Sequence, residues 1–251
     1  MPLLVTEPAR DVTLITIDNQ SKRNAMSRDM MRELAALWRT LDAGSCRCVV
    51  LTGAGDKAFC AGADIGGDLS ASEETAQMVN DALLKTRPFH TPVIAAVNGV
   101  CAGGGVELLL ATDIRIAASH ARFGLPEVCF GIYPFGGATT KLTRQIGYVH
   151  AMDLLLTGRL IDASAAREMQ LINEILEPSR VLDVALERAA IIAANSPDAV
   201  QAVKAQISGV DAEFAQSREA RDQELGDAVR AGKHFAEGVA AFIEKRKPDF
   251  S

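Results

Sequence analysis

Apolar residues recur along this chain in two rhythms. Alternating or continuous β-branched runs at residues 12–17 (Val-Thr-Leu-Ile-Thr-Ile), 48–52, 92–97 and 113–117 predict strands. Helical spacing separates them. Met30, Met31, Leu34, Leu37, Trp38 and Leu41 fall on one face of a helix that Ser27 would cap. Residues 73–87 predict a second helix leading to Pro88 and Pro92, and 138–146, 151–156 and 163–169 predict further helical pieces, with Gly147 and Gly158 as stops. A short strand is expected at 171–176. Beyond Pro178 the pattern is helical throughout: 181–194, then a helix capped by Ser196 with Pro197 in its first turn and running through Val200, Val203 and Ile207. Two more helices are predicted at about 213–231 and 235–247, the last stopped by Pro248. Val239, Phe242 and Ile243, so late in the chain, point to contacts with another subunit.

One stretch concentrates candidate chemistry. Residues 92–97 form a strand, Gly103, Gly104 and Gly105 a tight turn, and 106–112 a helix. The turn leaves backbone N–H groups free at a helix N-terminus, where a phosphate, a carboxylate or a carbonyl gaining negative charge is favoured. Glu107 narrows the choice. Its neighbours Val106, Leu108, Leu109, Leu110 and Ala111 bury the segment, and a buried carboxylate costs several kcal/mol, roughly, unless paired or facing a wet cavity. An anion pocket would reject it, whereas a carbonyl beside a catalytic acid or base accepts it. A second carboxylate, Glu127, is the only charge in the Gly/Pro-punctuated loop 123–137, flanked by Leu125, Val128, Phe130 and Ile132, an apolar setting that raises its pKa.

Residues 53–65 carry neither GxxxxGK[ST] nor GxGxxG spacing, so they predict no nucleotide loop. Ala61, Gly62 and Ala63 instead offer a backbone that a ligand can approach, with Asp64 able to bond nearby backbone; taken alone, these residues favour an ordinary glycine turn. Lys22 and Arg23 are either solvated loop charges or contacts to a ligand phosphate.

Composition removes several classes. At 251 residues and 48% hydrophobic content the chain can bury a large core, and a net charge of −6 supplies no field for nucleic acid or anionic membrane. The five cysteines lack CxxC spacing, the first residues show no secretory pattern, and no apolar run reaches the ~18 residues of a membrane span. A reduced, cytoplasmic protein is expected.

Read together, Asn24-Ala-Met-Ser27, residues 58–65 (Ala-Phe-Cys-Ala-Gly-Ala-Asp-Ile), residues 92–99 with Gly103-Gly-Gly105, Phe123-Gly-Leu-Pro-Glu127 with Gly136-Gly137, and residues 241–248 make the chain resemble the enoyl-CoA hydratase/isomerase (crotonase) family over nearly its whole length. The resemblance implies an α/β fold, a spiral of β-β-α turns in a catalytic core of residues 1–195, with a helical region, 196–251, that packs trimers or hexamers. It implies a coenzyme A thioester substrate whose oxygen lies between the amides of Ala63 and Gly104. Glu107 and Glu127 match the two glutamates of members that hydrate 2-enoyl thioesters, as in β-oxidation; no metal and no separate cofactor is implied. Substrate-binding positions carried over are Lys22, Arg23, Ala61, Asp64 and Ile65, with Phe242 and Lys245 where a neighbouring subunit reaches the nucleotide end. Two departures stand out. Tyr133-Pro-Phe135 replaces smaller residues after the second glutamate, and Gly232-Lys-His234 replaces a common acidic pair. The alternatives are an isomerase or other acyl-CoA lyase of the same family, and a non-catalytic binding protein of the same fold. A serine hydrolase has no support, since His90, His120, His150 and His234 show no partnership with a serine.

Overall fold

The computed structural model describes residues 3–64 and 73–251. The first turn contains β1 (Leu3–Ala9), β2 (Val12–Ile17) and α1 (Arg28–Ala43). The next contains β3 (Cys48–Gly53), β4 (Ala58–Cys60) and α2 (Glu73–Ala82), and the third β5 (Val93–Val97), β6 (Val100–Ala102) and α3 (Gly104–Leu109). Then come β7 (Ile114–Ala118), β8 (Arg122–Gly124), a 3₁₀ turn over Pro126–Phe130, α4 (Ala138–Ile146) and α5 (Tyr148–Thr157). The chain closes with β9 (Ile161–Asp162), α6 (Ala163–Glu168), β10 (Glu174–Leu176), α7 (Val181–Ala194), α8 (Pro197–Ala231) and α9 (Lys233–Glu244).

Each middle turn gives one strand to each of two sheets. The larger runs β1-β2-β3-β5-β7-β10, parallel except for the β1/β2 pair, and the smaller runs β4-β6-β8-β9. This is the spiral of β-β-α turns that the resemblance implies. Alternation along the strands sets the layers. Ile15, Val49, Leu51, Ala95, Val97 and Ala117 face the main core with Met30, Leu34 and Trp38 of α1, whereas Val12, Cys48, Val50, Ile94, Ala96 and Ile116 face α7. There Ala185, Ala189 and Ala193, spaced at one helical turn, let α7 lie close on the sheet. Trp38 is fully buried, and its indole N–H donates to the Ala82 carbonyl at 2.9 Å, so the ring keeps its hydrogen bond inside the core.

Two asparagines, Asn24 buried and Asn98 half-buried, tie the loops at the strand ends. Asn98 accepts from the Gly53 N–H at 3.1 Å and donates to the carbonyls of Gly53 and Gly55; Asn24 donates to those of Ala54 and Ala58. Their carboxamides replace sheet bonds where the backbone leaves the ladder.

Several elements differ from the sequence pattern. The helix from Pro197 continues unbroken to Ala231 rather than ending near 208, because Ala212, Ala215, Asp222 and Gly226 bury the same side all along it and outweigh the roughly 1 kcal/mol cost of Gly209. Residues 58–60, given no element by the pattern, and 122–124, overlapping the start of the 123–137 loop, are strands whose pairing comes from neighbouring turns. The opening segment is the edge strand β1, with Leu3 alone buried, too weak an alternation to read. Helix α2 also stops earlier, at Ala82, and Leu84 then takes a left-handed conformation with φ of 47°.

Close packing of backbone on backbone yields the first prediction. A Cβ at Gly105 would lie 2.1 Å from the Cys60 carbonyl oxygen, which cannot move without breaking the β4/β6 pairing. Gly105→Ala is therefore expected to destabilise the fold by more than about 2 kcal/mol in urea titration, as overpacking of a rigid site does. A variant as stable as the parent would show that these segments are not in contact.

Candidate active site

The tight turns generate the site. Gly103, at φ 54° and ψ −128°, turns the chain from β6 into α3, a conformation that a side chain would strain. The Gly104 N–H then stands at the first helical position, where no preceding carbonyl can accept it. Across from it, Met26 forms a parallel bridge to Ala63: the Met26 N–H donates to Gly62 and the Asp64 N–H donates to Met26. Those bonds flank Ala63 and leave its own N–H outside the ladder. The two segments touch, since a Cβ at Gly104 would lie 3.4 Å from the Ala63 nitrogen. Ala63 and Gly104 thus present neighbouring amides to one cavity of about 250 Å³.

Both candidate carboxylates line that cavity. Glu107 leaves the first turn of α3 and is 5% exposed; its Oε1 accepts from the Ala138 N–H at 3.2 Å. Gly136 is obligatory beside it, because a Cβ there would come within 2.4 Å of Glu107 Oε2. Burial pushes Glu107 up to about 7, against the pull of the Ala138 and Gly136 amides and the Lys85 charge. Glu127 sits in the 3₁₀ turn, with Oε1 facing Gly103 and Oε2 buried without a partner among the described residues. Burial first, and the nearby Glu107 second, push it up to about 8. Like charges in one dry space oppose double ionisation, so near neutral pH the pair holds a proton. Glu107, with its amide and Lys85, is the better placed to be ionised; Glu127 is the better placed to carry the proton.

The cavity is also lined by Met26, Met31, Met78, Val79 and Leu83 and by Phe130, Ile132, Tyr133, Phe135, Phe235 and Phe242. Ala61 and Asp64 also line the cavity. Lys22 lies outside it and bonds Asp64 Oδ2 at 2.5 Å; Arg23, with φ of 54°, gives its carbonyl to the Ala61 N–H. Both therefore shape the loop beside Ala61–Asp64, while Ile65 lies outside the described residues. Phe242 lines the cavity of its own chain, edge-on to Phe130 with centroids 5.2 Å apart, and Lys245 is exposed at the end of α9, away from it.

Sequence reasoning missed the support behind Glu107. Lys85, 1% exposed, pairs with Glu219 at 2.7 Å and Asp222 at 2.6 Å on α8, and Asp222 also accepts from Tyr133 Oη at 2.5 Å and Thr139 Oγ1 at 2.8 Å. Lys85 belongs to a segment read as helix, and only the fold brings it to α8. A larger cleft of about 800 Å³ beneath α8 contains none of the expected residues, and its buried cations are spent on structure: Arg115 on Thr112, Leu171 and Gln145, Lys204 on Thr91 and Asp113. Among the described residues no cluster of three or more His, Cys, Asp or Glu could hold a metal, and no helix is long and apolar enough to cross a membrane.

A spiral α/β core with two amides and two carboxyls converging on one apolar cavity defines a class of protein: one built to stabilise a developing oxyanion while protons move beside it. The chain belongs to the enoyl-CoA hydratase/isomerase family, whose profile matches residues 7–251. It is 39% identical over 257 residues to the enoyl-CoA hydratase EchA19 of Mycobacterium tuberculosis, covering 99% of this chain and 96% of that one. It is 34% identical over 259 residues to the 2,3-dehydroadipyl-CoA hydratase of Escherichia coli, covering 100% and 99%. A crystal structure of an enoyl-CoA hydratase/isomerase from Pseudoalteromonas atlantica superposes with a TM-score of 0.90 at 30% identity, covering all of both chains.

The raised carboxyls predict a pH-dependent stability. A carboxyl whose folded pKa exceeds its unfolded value near 4.5 contributes fully below that value and loses its contribution as pH rises through the folded pKa, here about 8 for Glu127. Glu127→Gln removes the charge that is hard to bury. Its unfolding free energy from urea titration is expected to match the parent near pH 4 and exceed it at pH 9, by on the order of 1 kcal/mol. A gap independent of pH would show that Glu127 is solvated.

Proposed function

We propose that the protein is an enoyl-CoA hydratase, adding water across the 2,3 double bond of a 2-enoyl-CoA to give a 3-hydroxyacyl-CoA. The observation that carries this reading is the convergence of Glu107, Glu127, Ala63 and Gly104 on one cavity. The Ala63 and Gly104 amides hold the thioester oxygen, and their donors draw electron density from the double bond so that C3 becomes electrophilic. Water lies between the carboxyls. Glu107, ionised, takes a proton from it as its oxygen bonds to C3; the electron pair of the double bond moves to the thioester oxygen as an enolate. Glu127, protonated, then delivers its proton to C2 and the enolate collapses. One water is consumed, and proton exchange between the carboxyls and the next water resets the pair.

Removing one oxyanion donor of this type costs ~100- to 1000-fold in rate, and general acid–base assistance contributes roughly 100- to 10,000-fold. Two carboxyls favour hydration over isomerisation, which needs only one proton carrier. Relatives named for short-chain-enoyl-CoA, mevalonyl-CoA and 2,3-dehydroadipyl-CoA hydratases support the same reaction class. A cytoplasmic enzyme of acyl-CoA metabolism such as β-oxidation, without a separate cofactor, is part of this reading. So is a trimer or hexamer, with Lys22, Arg23 and Lys245 meeting the CoA moiety; exposed Ile191, Val203, Ile207, Phe214 and Ile243 on α7 to α9 support the assembly.

Purified protein mixed with crotonyl-CoA is expected to remove the enone absorbance. Conversion of a 3-enoyl-CoA to the conjugated ester without further loss would instead identify an isomerase. Glu107→Gln and Glu127→Gln are each expected to cut kcat at least about 100-fold while acyl-CoA binding persists. Unchanged turnover in either variant refutes the role given to that residue.

A further inference from the structure

Arg230 is the cation of the aromatic wall. It leaves the last turn of α8, lines the same cavity as Glu107 and Glu127, and its side chain is 25% exposed. Its guanidinium lies over the Phe135 ring, 4.6 Å from the centroid, and Phe135 is fixed in turn by Tyr133, edge-on at 5.6 Å, and by Gly226 of α8. Gly226 has no room for a side chain: a Cβ would lie 2.1 Å from the Phe135 ring. Helix and loop are therefore cut to fit each other, and the arginine is held flat on an aromatic face. One of its nitrogens is committed: Nη1 donates to Asp227 Oδ1 at 2.8 Å. Nε and Nη2, the edge that grips a carboxylate with two parallel bonds, have no partner among the described residues.

The position on the reaction path follows from the loop. Phe135 precedes Gly136, which abuts the Glu107 carboxyl, and Glu107 acts at C3. Arg230 thus shares the cavity wall next to Glu107, and an acyl chain that runs on from C3 along this wall meets it. The cavity's other arginine, Arg28, begins α1 two residues after Met26, which bridges Ala63 on the thioester side.

We propose that Arg230 recognises a carboxylate at the far end of the acyl chain, so that the preferred substrates are 2-enoyl-CoA thioesters of dicarboxylic acids. This rests on the hydratase reading for the placement of the acyl chain. The rest of the wall suits the methylenes between: Phe130, Ile132 and Phe135 offer no donors from their side chains, and the Tyr133 hydroxyl is spent on Asp222. A charge-assisted bidentate pair in such surroundings corresponds to roughly 10- to 100-fold in affinity.

Calorimetric binding of saturated esters tests this without turnover. The full chain is titrated with adipyl-CoA against hexanoyl-CoA, and with suberyl-CoA against octanoyl-CoA, pairs equal in length and differing at the terminal group. The dicarboxylic member is expected to bind at least about 10-fold tighter in one pair or both. Arg230→Met keeps a stem on Phe135 and is expected to erase that preference. Equal affinity within both pairs of the parent overturns the proposal with no variant required. So does a preference that survives Arg230→Met, or a variant that weakens both members equally, which would assign the guanidinium to the CoA phosphates. Crotonyl-CoA hydration by the parent is followed alongside; its absence would count against the hydratase reading, whereas the preference is read from binding alone.

Discussion

Bare backbone meets bare backbone where the second and third turns of the spiral touch, and the site depends on that contact. Gly62 and Ala63 lie against Gly103 to Gly105, with the Cys60 carbonyl where any side chain on Gly105 would stand. Nothing softer than main chain separates the two segments, so their amides keep a fixed spacing. Such donors need no reorganisation when charge develops between them, which is what makes oxyanion stabilisation effective. The asparagines at 24 and 98 serve the same end from behind, holding the strand termini from which these turns spring.

The carboxyl pair imposes the opposite demand. Rigid amides cost the fold little, but two acids in an apolar cavity oppose folding whenever both are ionised. The chain meets this by unequal treatment. Glu107 receives the Ala138 amide and the field of Lys85, while Glu127 keeps a buried oxygen with no partner among the described residues. The asymmetry pushes Glu127 further up, to about 8, than Glu107, to about 7. Lys85 in turn is stabilised only because α8 brings Glu219 and Asp222 to it, so a helix distant in sequence from both glutamates helps set their protonation.

Much of this was legible in the residues. The strand, glycine and helix sequence at 92–112 announced both the free amide and the unusual burial of Glu107, and the apolar loop around Glu127 announced its raised pKa. These are local signals, carried by spacing and by the cost of burying charge. Other features were hidden because they are set by partners far away in the chain. Strands β4 and β8 have three residues each and owe their existence to neighbouring turns. Lys85 reads as an ordinary helix lysine until α8 covers it. Phe135 and Gly226 make sense only as a pair, one filling what the other vacates, and a single sequence shows no reason to connect positions so far apart. The helix from Pro197 reads as two pieces for a related reason: its continuity comes from burial along one face, set by packing against distant elements.

Helix α9 lies on the rim of the cavity, its Gly238 pressed against the Phe130 carbonyl and its Phe242 against the Phe130 ring. The cavity walls near residues 63 to 138 are therefore enclosed by a part of the chain that the ribosome releases after them. During synthesis the earlier turns can fold around their own core, while the aromatic wall stays open to water. A nascent chain can thus display its acids and amides but not yet the dry surroundings that give them their strength.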